Sequence, residues 1–135
     1  MSVTHCLFLK FKPDSEVSRE VKAKTYLDLL GLKENCRHPD TGKPYMLSIK
    51  GGMDNSVEEG GSKGMTHGFV MEFASVEDRN YYIHEDPHHL RLEDQIRAIM
   101  EDGVAVDFTP TIFYDWASKD DNGTKINGSK ANGKK

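Results

Sequence analysis

Cysteine is scarce: Cys6 and Cys36 are the only two in 135 residues, and neither stands in a Cys-x-x-Cys pair. That excludes a disulfide framework and a cysteine-built zinc knuckle, and it predicts two reduced thiols. Long apolar runs are missing as well. No stretch could span a bilayer, and the start, Met1 to His5, has no basic region followed by an apolar run, so a soluble, cytoplasmic protein without a membrane partner is expected. Without a secretory signal, the sequons at Asn122 and Asn127 carry no weight. Positive charge is short too. The net charge is -4 and no basic stripe appears outside the tail, which argues against a nucleic-acid partner. Twelve glycines are present, yet neither Gly-x-x-x-x-Gly-Lys-Ser/Thr nor Gly-x-Gly-x-x-Gly occurs, so no loop is built to cradle phosphates.

What the chain does have is acid-base chemistry concentrated in Tyr81 to Leu90, which holds three of its six histidines. His84-Glu85-Asp86-Pro87-His88 fits the His-Glu-x-x-His pattern of zinc hydrolases. A metal set drawn from His84, Glu85, His88 and His89 would need one continuous helix, and Pro87 breaks it. The same residues make a good helix start, with Asp86 as N-cap and Pro87 as first helical residue. His88 and His89 then sit in the first turn, where the positive end of the helix dipole favours a neutral imidazole able to accept a proton. A bland reading, two polar residues on an exposed turn, stands equally well on this stretch alone.

From Val3 to Lys12 the residues alternate with strand period: Val3, His5, Leu7, Leu9 and Phe11 share one face. Met65, His67, Phe69, Met71 and Phe73 repeat the pattern. A histidine interrupts each apolar face, and two such interruptions point to a polar pocket inside an apolar shell. Between these strands, Asp14 or Ser15 should cap a helix in which Val17, Val21, Tyr26, Leu27 and Leu30 form the buried stripe and Gly31 ends it. A turn-rich loop, Asn35 to Pro44, leads to a strand with Tyr45, Leu47 and Ile49 inward. Ser75-Val76-Glu77-Asp78 reads as a capping box opening a short helix through Tyr81 and Tyr82. The helix begun at Asp86 carries Leu92, Ile96, Ile99 and Met100 on one side, with Gly103 closing it. Val104, Val106 and Phe108 form the last strand, and Ile112 to Trp116 extends along an edge. Residues 1–117 thus form one domain, and 118–135 a disordered polar tail.

The order is strand, helix, strand, strand, two helices, strand, which fits an α+β sheet with its helices on one face. Phe8, Met46, Val70 and Ala105 fall on the other face, which a second subunit could cover.

Three segments in the right order carry a resemblance: His5 to Lys12, Gly64 to Ser75, and the Tyr-rich stretch ending in Pro87-His88-His89. From Val3 to Pro110 the chain resembles the stress-responsive A/B-barrel (Dabb) family. The resemblance implies a ferredoxin-like dimeric α/β barrel: a four-stranded antiparallel sheet with helices on one face and a homodimer formed through the other. It also implies a cyclase or lyase of the olivetolic acid cyclase type, which closes a linear polyketide or β-dicarbonyl by an intramolecular aldol reaction, without cofactor or metal. Carried over by position, His89 is the catalytic histidine, while His5, His67 and Tyr26 are pocket residues. Counting forward from Ser75 gives Tyr82 as the catalytic tyrosine. Counting back from His89 gives Ile83, so Tyr81 and Tyr82 both stand as candidates. Leu7, Leu9, Phe69, Leu27, Leu30 and Leu92 would line the pocket. The family's His-Pro-x-His is Asp86-Pro87-His88-His89 here, an acid in place of the first histidine. Relatives also include stress-induced proteins, cofactor-independent oxygenases and other C-C lyases, and a non-catalytic dimeric module binding a small apolar ligand is the alternative.

Overall fold

The computed structural model describes residues 1–114. The tail from residue 118, both sequons and the end of the extension at Trp116 lie outside them; Ile112 to Tyr114, which are described, are not strand. Strand β1 (Val3–Phe11) leads into helix α1 (Arg19–Asn35), then β2 (Met46–Met53), β3 (His67–Phe73), α2 (Val76–His84), α3 (Pro87–Ile99) and β4 (Met100–Phe108). The strands form one antiparallel sheet in the order β2-β3-β1-β4. The core of Leu9, Phe11, Phe69, Met71, Phe73 and Tyr82 lies between this sheet and the inward sides of the helices.

The helix starts follow from local chemistry. Ser75 Oγ accepts from the Asp78 amide and Asp86 Oδ1 from the His88 amide, each satisfying an N–H that has no partner within its helix. Pro87 follows Asp86 as the first residue of α3. His84 and His88 therefore belong to different helices. Among the described residues no cluster of three or more His, Cys, Asp and Glu could hold a metal ion, and no helix is long and apolar enough to cross a membrane.

Helix α1 departs from expectation at both ends and on its face. Residues 13–17 form a turn in which Pro13 O accepts from the amides of Glu16 and Val17. Asp14 is committed to Arg19 and Lys22, so Ser18 becomes the cap. Gly31 lies within the helix, which ends at Cys36. Its inward face is Lys22, Thr25, Leu29 and Leu32, whereas Val21, Leu27 and Leu30 look out. A bulge between Met46 and Ser48 in β2 buries Tyr45 and Met46 together and turns Leu47 outward. Helix α3 closes at Ile99, leaving Met100 and Gly103 in β4. Ala105 pairs with Leu7 and so lies on the helix side of the sheet, not the outer side.

Candidate active site

The register of β1 places His5 directly opposite Asp107 of β4. Asp107 Oδ1 is 2.6 Å from His5 Nδ1, and Asp107 Oδ2 accepts from Arg79 of α2 at 2.7 Å. A carboxylate can only accept, so Nδ1 carries the proton of this bond and the ring is held in one orientation. His5 is buried, and its ring stands edge-on to Tyr82 with centroids 6.1 Å apart.

Tyr82 faces inward from α2 at 1% exposure, and its ring centroid is 4.1 Å from that of His89 in the first turn of α3. Burial holds the Tyr82 phenol well above its ordinary pKa, so it stays protonated and can donate a hydrogen bond. Burial pulls the His89 pKa down, with His5 adding to the effect and Glu93, the Tyr82 backbone and Asp86 opposing it. Among the described residues, His89 Nδ1 is the one buried side-chain nitrogen or oxygen without a hydrogen-bond partner. These three rings border a cavity of about 350 Å³ whose apolar walls include Leu7, Leu9, Leu29, Leu32, Leu92 and Ile96. The arrangement brings together an imidazole of lowered pKa, a protonated phenol and an oriented second imidazole at one apolar-walled cavity, groups of the kind used for proton transfer.

The remaining pocket residues from the sequence stand elsewhere. Tyr26, His67, Phe69 and Leu30 line a second cavity of about 900 Å³, shared with Asp14, Arg19 and Lys22. His67 stacks on Tyr26 at 4.6 Å between centroids and meets Phe11 edge-on at 5.2 Å. Thr66 Oγ1 donates to Leu9 O, so it accepts from His67 Nδ1 at 2.9 Å. Burial, then Lys22, lowers its pKa. Leu9 is the β1 partner of His67. His5 lies four residues back along that strand, roughly 13 Å at about 3.3 Å per residue. Leu9 and Leu29 line the smaller cavity and Phe69 the larger.

Two pocket assignments are corrected. Tyr81 packs on Tyr45 and His38, with centroids at 5.6 and 6.5 Å, and borders neither cavity. Consecutive helical residues point about 100° apart, so only one of Tyr81 and Tyr82 can face the sheet. Leu27 is 70% exposed because Thr25, Leu29 and Leu32 set the inward face of α1. Asp107 and Arg79 went unnoticed in the sequence. Alternation offered a signal for Asp107, since Val104, Val106 and Phe108 on one face of β4 leave an acid on the other. Arg79 had none.

The stress responsive A/B barrel domain model matches residues 3–110. No curated protein sequence matches the chain. Among solved structures, a hydroxynitrile lyase from Passiflora edulis superposes with a TM-score of 0.69 at 21% identity, over 84% of this chain and 97% of that one. The At3g17210 protein of Arabidopsis thaliana gives 0.68 at 26% identity, over 84% and 99%. A dimeric ferredoxin-like protein from Jannaschia sp. gives 0.63 at 18%, over 81% and 99%. The sheet order, the helices on one face and the match over residues 3–110 make the chain a member of the stress responsive A/B barrel family, with a ferredoxin-like fold.

Proposed function

We propose that the chain is a cofactor-independent cyclase or lyase for a polyketide or β-dicarbonyl substrate, working in the smaller cavity. The observation that carries this reading is the His89 ring, its pKa lowered by burial, packed 4.1 Å from the ring of Tyr82 at the wall of that cavity. His89 takes a proton from a carbon flanked by two carbonyls. The electron pair left behind spreads onto a carbonyl oxygen, to which Tyr82 donates a hydrogen bond. Attack of that carbon on a second carbonyl of the same molecule forms the C-C bond, and the new alkoxide takes up a proton relayed from His89. His5, oriented by Asp107 and Arg79, accepts from a substrate hydroxyl or enol. His67 and Tyr26 belong to this reading as binders of a distal part of a long chain.

The assay is NMR-detected exchange of the C2 protons of 1-phenylbutane-1,3-dione in D₂O, alongside mass spectrometry of a linear poly-β-keto thioester. Exchange above the buffer rate and a dehydrated cyclic product are expected. Binding of the diketone with exchange at the buffer rate would instead make the chain a ligand-binding module.

The reading also includes a homodimer, as described for the Jannaschia neighbour. On the outer sheet face Cys6 lies between Val70 and Val106, and Phe8 between Gly68 and Val104. Val104, Val106 and Phe108 are 45%, 52% and 47% exposed. A contiguous apolar sheet face of this kind calls for a partner. Light scattering is expected to give twice the chain mass, and Val106→Lys to give a folded monomer. A monomeric wild-type protein at tens of micromolar would refute the dimer.

A further inference from the structure

The side chain that caps α3 is far more enclosed than a cap needs to be. Asp86 is 1% exposed, and its two oxygens are taken from different directions. Oδ1 accepts from the His88 amide at 2.9 Å and Oδ2 from the Tyr45 hydroxyl at 2.6 Å. Cys36, fully buried at the end of α1, lies close by, and burial first and then Asp86 push its thiol pKa up. One carboxyl therefore joins the approach to β2 and the start of α3. An ordinary N-cap needs only a backbone amide and water. Burying this one is tolerable because the Tyr45 hydroxyl and the His88 amide both donate to it.

The same carboxyl stands three residues before His89. The other titratable and charged groups around that imidazole are Glu93 one turn on, His5 from β1, Tyr82 from α2 and Cys36 from the end of α1. We propose that Asp86, clamped by the Tyr45 hydroxyl and the His88 amide, is the positioning residue of His89: it fixes where α3 begins and holds a carboxyl group three residues before the imidazole. The acid found where the family pattern has a histidine thus has a task in this chain. The inference rests on the proposed reaction only for what His89 is positioned to do.

Long-range ¹H–¹⁵N NMR of the full chain follows the His89 titration directly, with thermal melts and the pH profile of C2 exchange beside it. Asn caps a helix about as well as Asp. Asp86→Asn should therefore melt near the wild-type temperature while the His89 midpoint falls, as loss of a group that raises it requires. The acid limb of the exchange profile should move down with it. Asp86→Ala should lose the cap as well, and Asn should restore the fold without restoring the midpoint. Tyr45→Phe keeps the carboxyl and loosens its hold, so the ring-current shifts of His89 against Tyr82 should collapse toward free-histidine values. An unchanged midpoint in Asp86→Asn, or unchanged His89 shifts in Tyr45→Phe, overturns the positioning role. Absence of wild-type exchange with both NMR effects present overturns the reaction and leaves the positioning intact.

Discussion

His89→Ala is expected to lower the C2 exchange rate by about 10²- to 10⁴-fold, the usual worth of a positioned general base. The fold should survive. Truncation removes packing against Tyr82, but it also removes the buried Nδ1 that lacks a partner, and the desolvation cost of that atom goes with it. The pH profile supplies the sign. Burial depresses the His89 pKa, so the neutral base persists below the ordinary histidine midpoint of about 6.5, and the acid limb of the wild-type profile should inflect below that value. In the alanine variant that limb should vanish and the residual rate should track solvent. His84→Ala is the control, because His84 lies on the exposed end of α2. A His89→Ala rate within a few-fold of wild type would remove His89 from the reaction.

What the sequence made legible is what neighbouring residues decide. Strand period put His5 and His67 on the inward faces of β1 and β3, and an Asp-Pro pair announced the start of α3. The face of α1 was not legible, because its inward positions include Lys22 and Thr25. Lys22 is admitted by its ion pair to Asp14 at 2.8 Å, and Thr25 by its hydrogen bond to the Val21 carbonyl. Apolar periodicity counts neither form of compensation. The bulge in β2 broke the alternation of Tyr45, Leu47 and Ile49: the extra residue brings Met46 inward beside Tyr45 and leaves Leu47 outside.

The division of the pocket is a fact of tertiary packing. His5 and His67 share a sheet face, which period alone shows, but their separation depends on the register of Leu9 against His67. Their proton arrangements likewise come from elsewhere in the chain. Asp107 lies 102 residues from His5 in sequence, and Thr66 is held by Leu9 of a different strand. His5 lines the smaller cavity and His67 the larger.

Tyr82 is both core and candidate donor, and two substitutions separate those roles. Its ring packs on Phe73 at 5.1 Å between centroids as well as on His5 and His89, so Tyr82→Ala should cost about 3–5 kcal/mol of stability. Tyr82→Phe leaves that packing in place. The hydroxyl makes no hydrogen bond to any described residue, so its loss should leave the melting temperature within a few degrees of wild type. Its worth should appear only when charge develops on a substrate oxygen. Loss of one preorganised donor of this kind costs about 10²- to 10³-fold in turnover. Tyr82→Phe is therefore expected to bind the diketone as tightly as wild type while exchange falls by that factor. The alkaline side of the profile adds a second check, since burial keeps the phenol protonated well past its ordinary pKa. Wild-type exchange should show no loss from Tyr82 ionisation near pH 10, where a free tyrosine titrates. If Tyr82→Phe exchanges at the wild-type rate with its fold intact, the residue is core alone and the charge on the substrate oxygen must be met by another group.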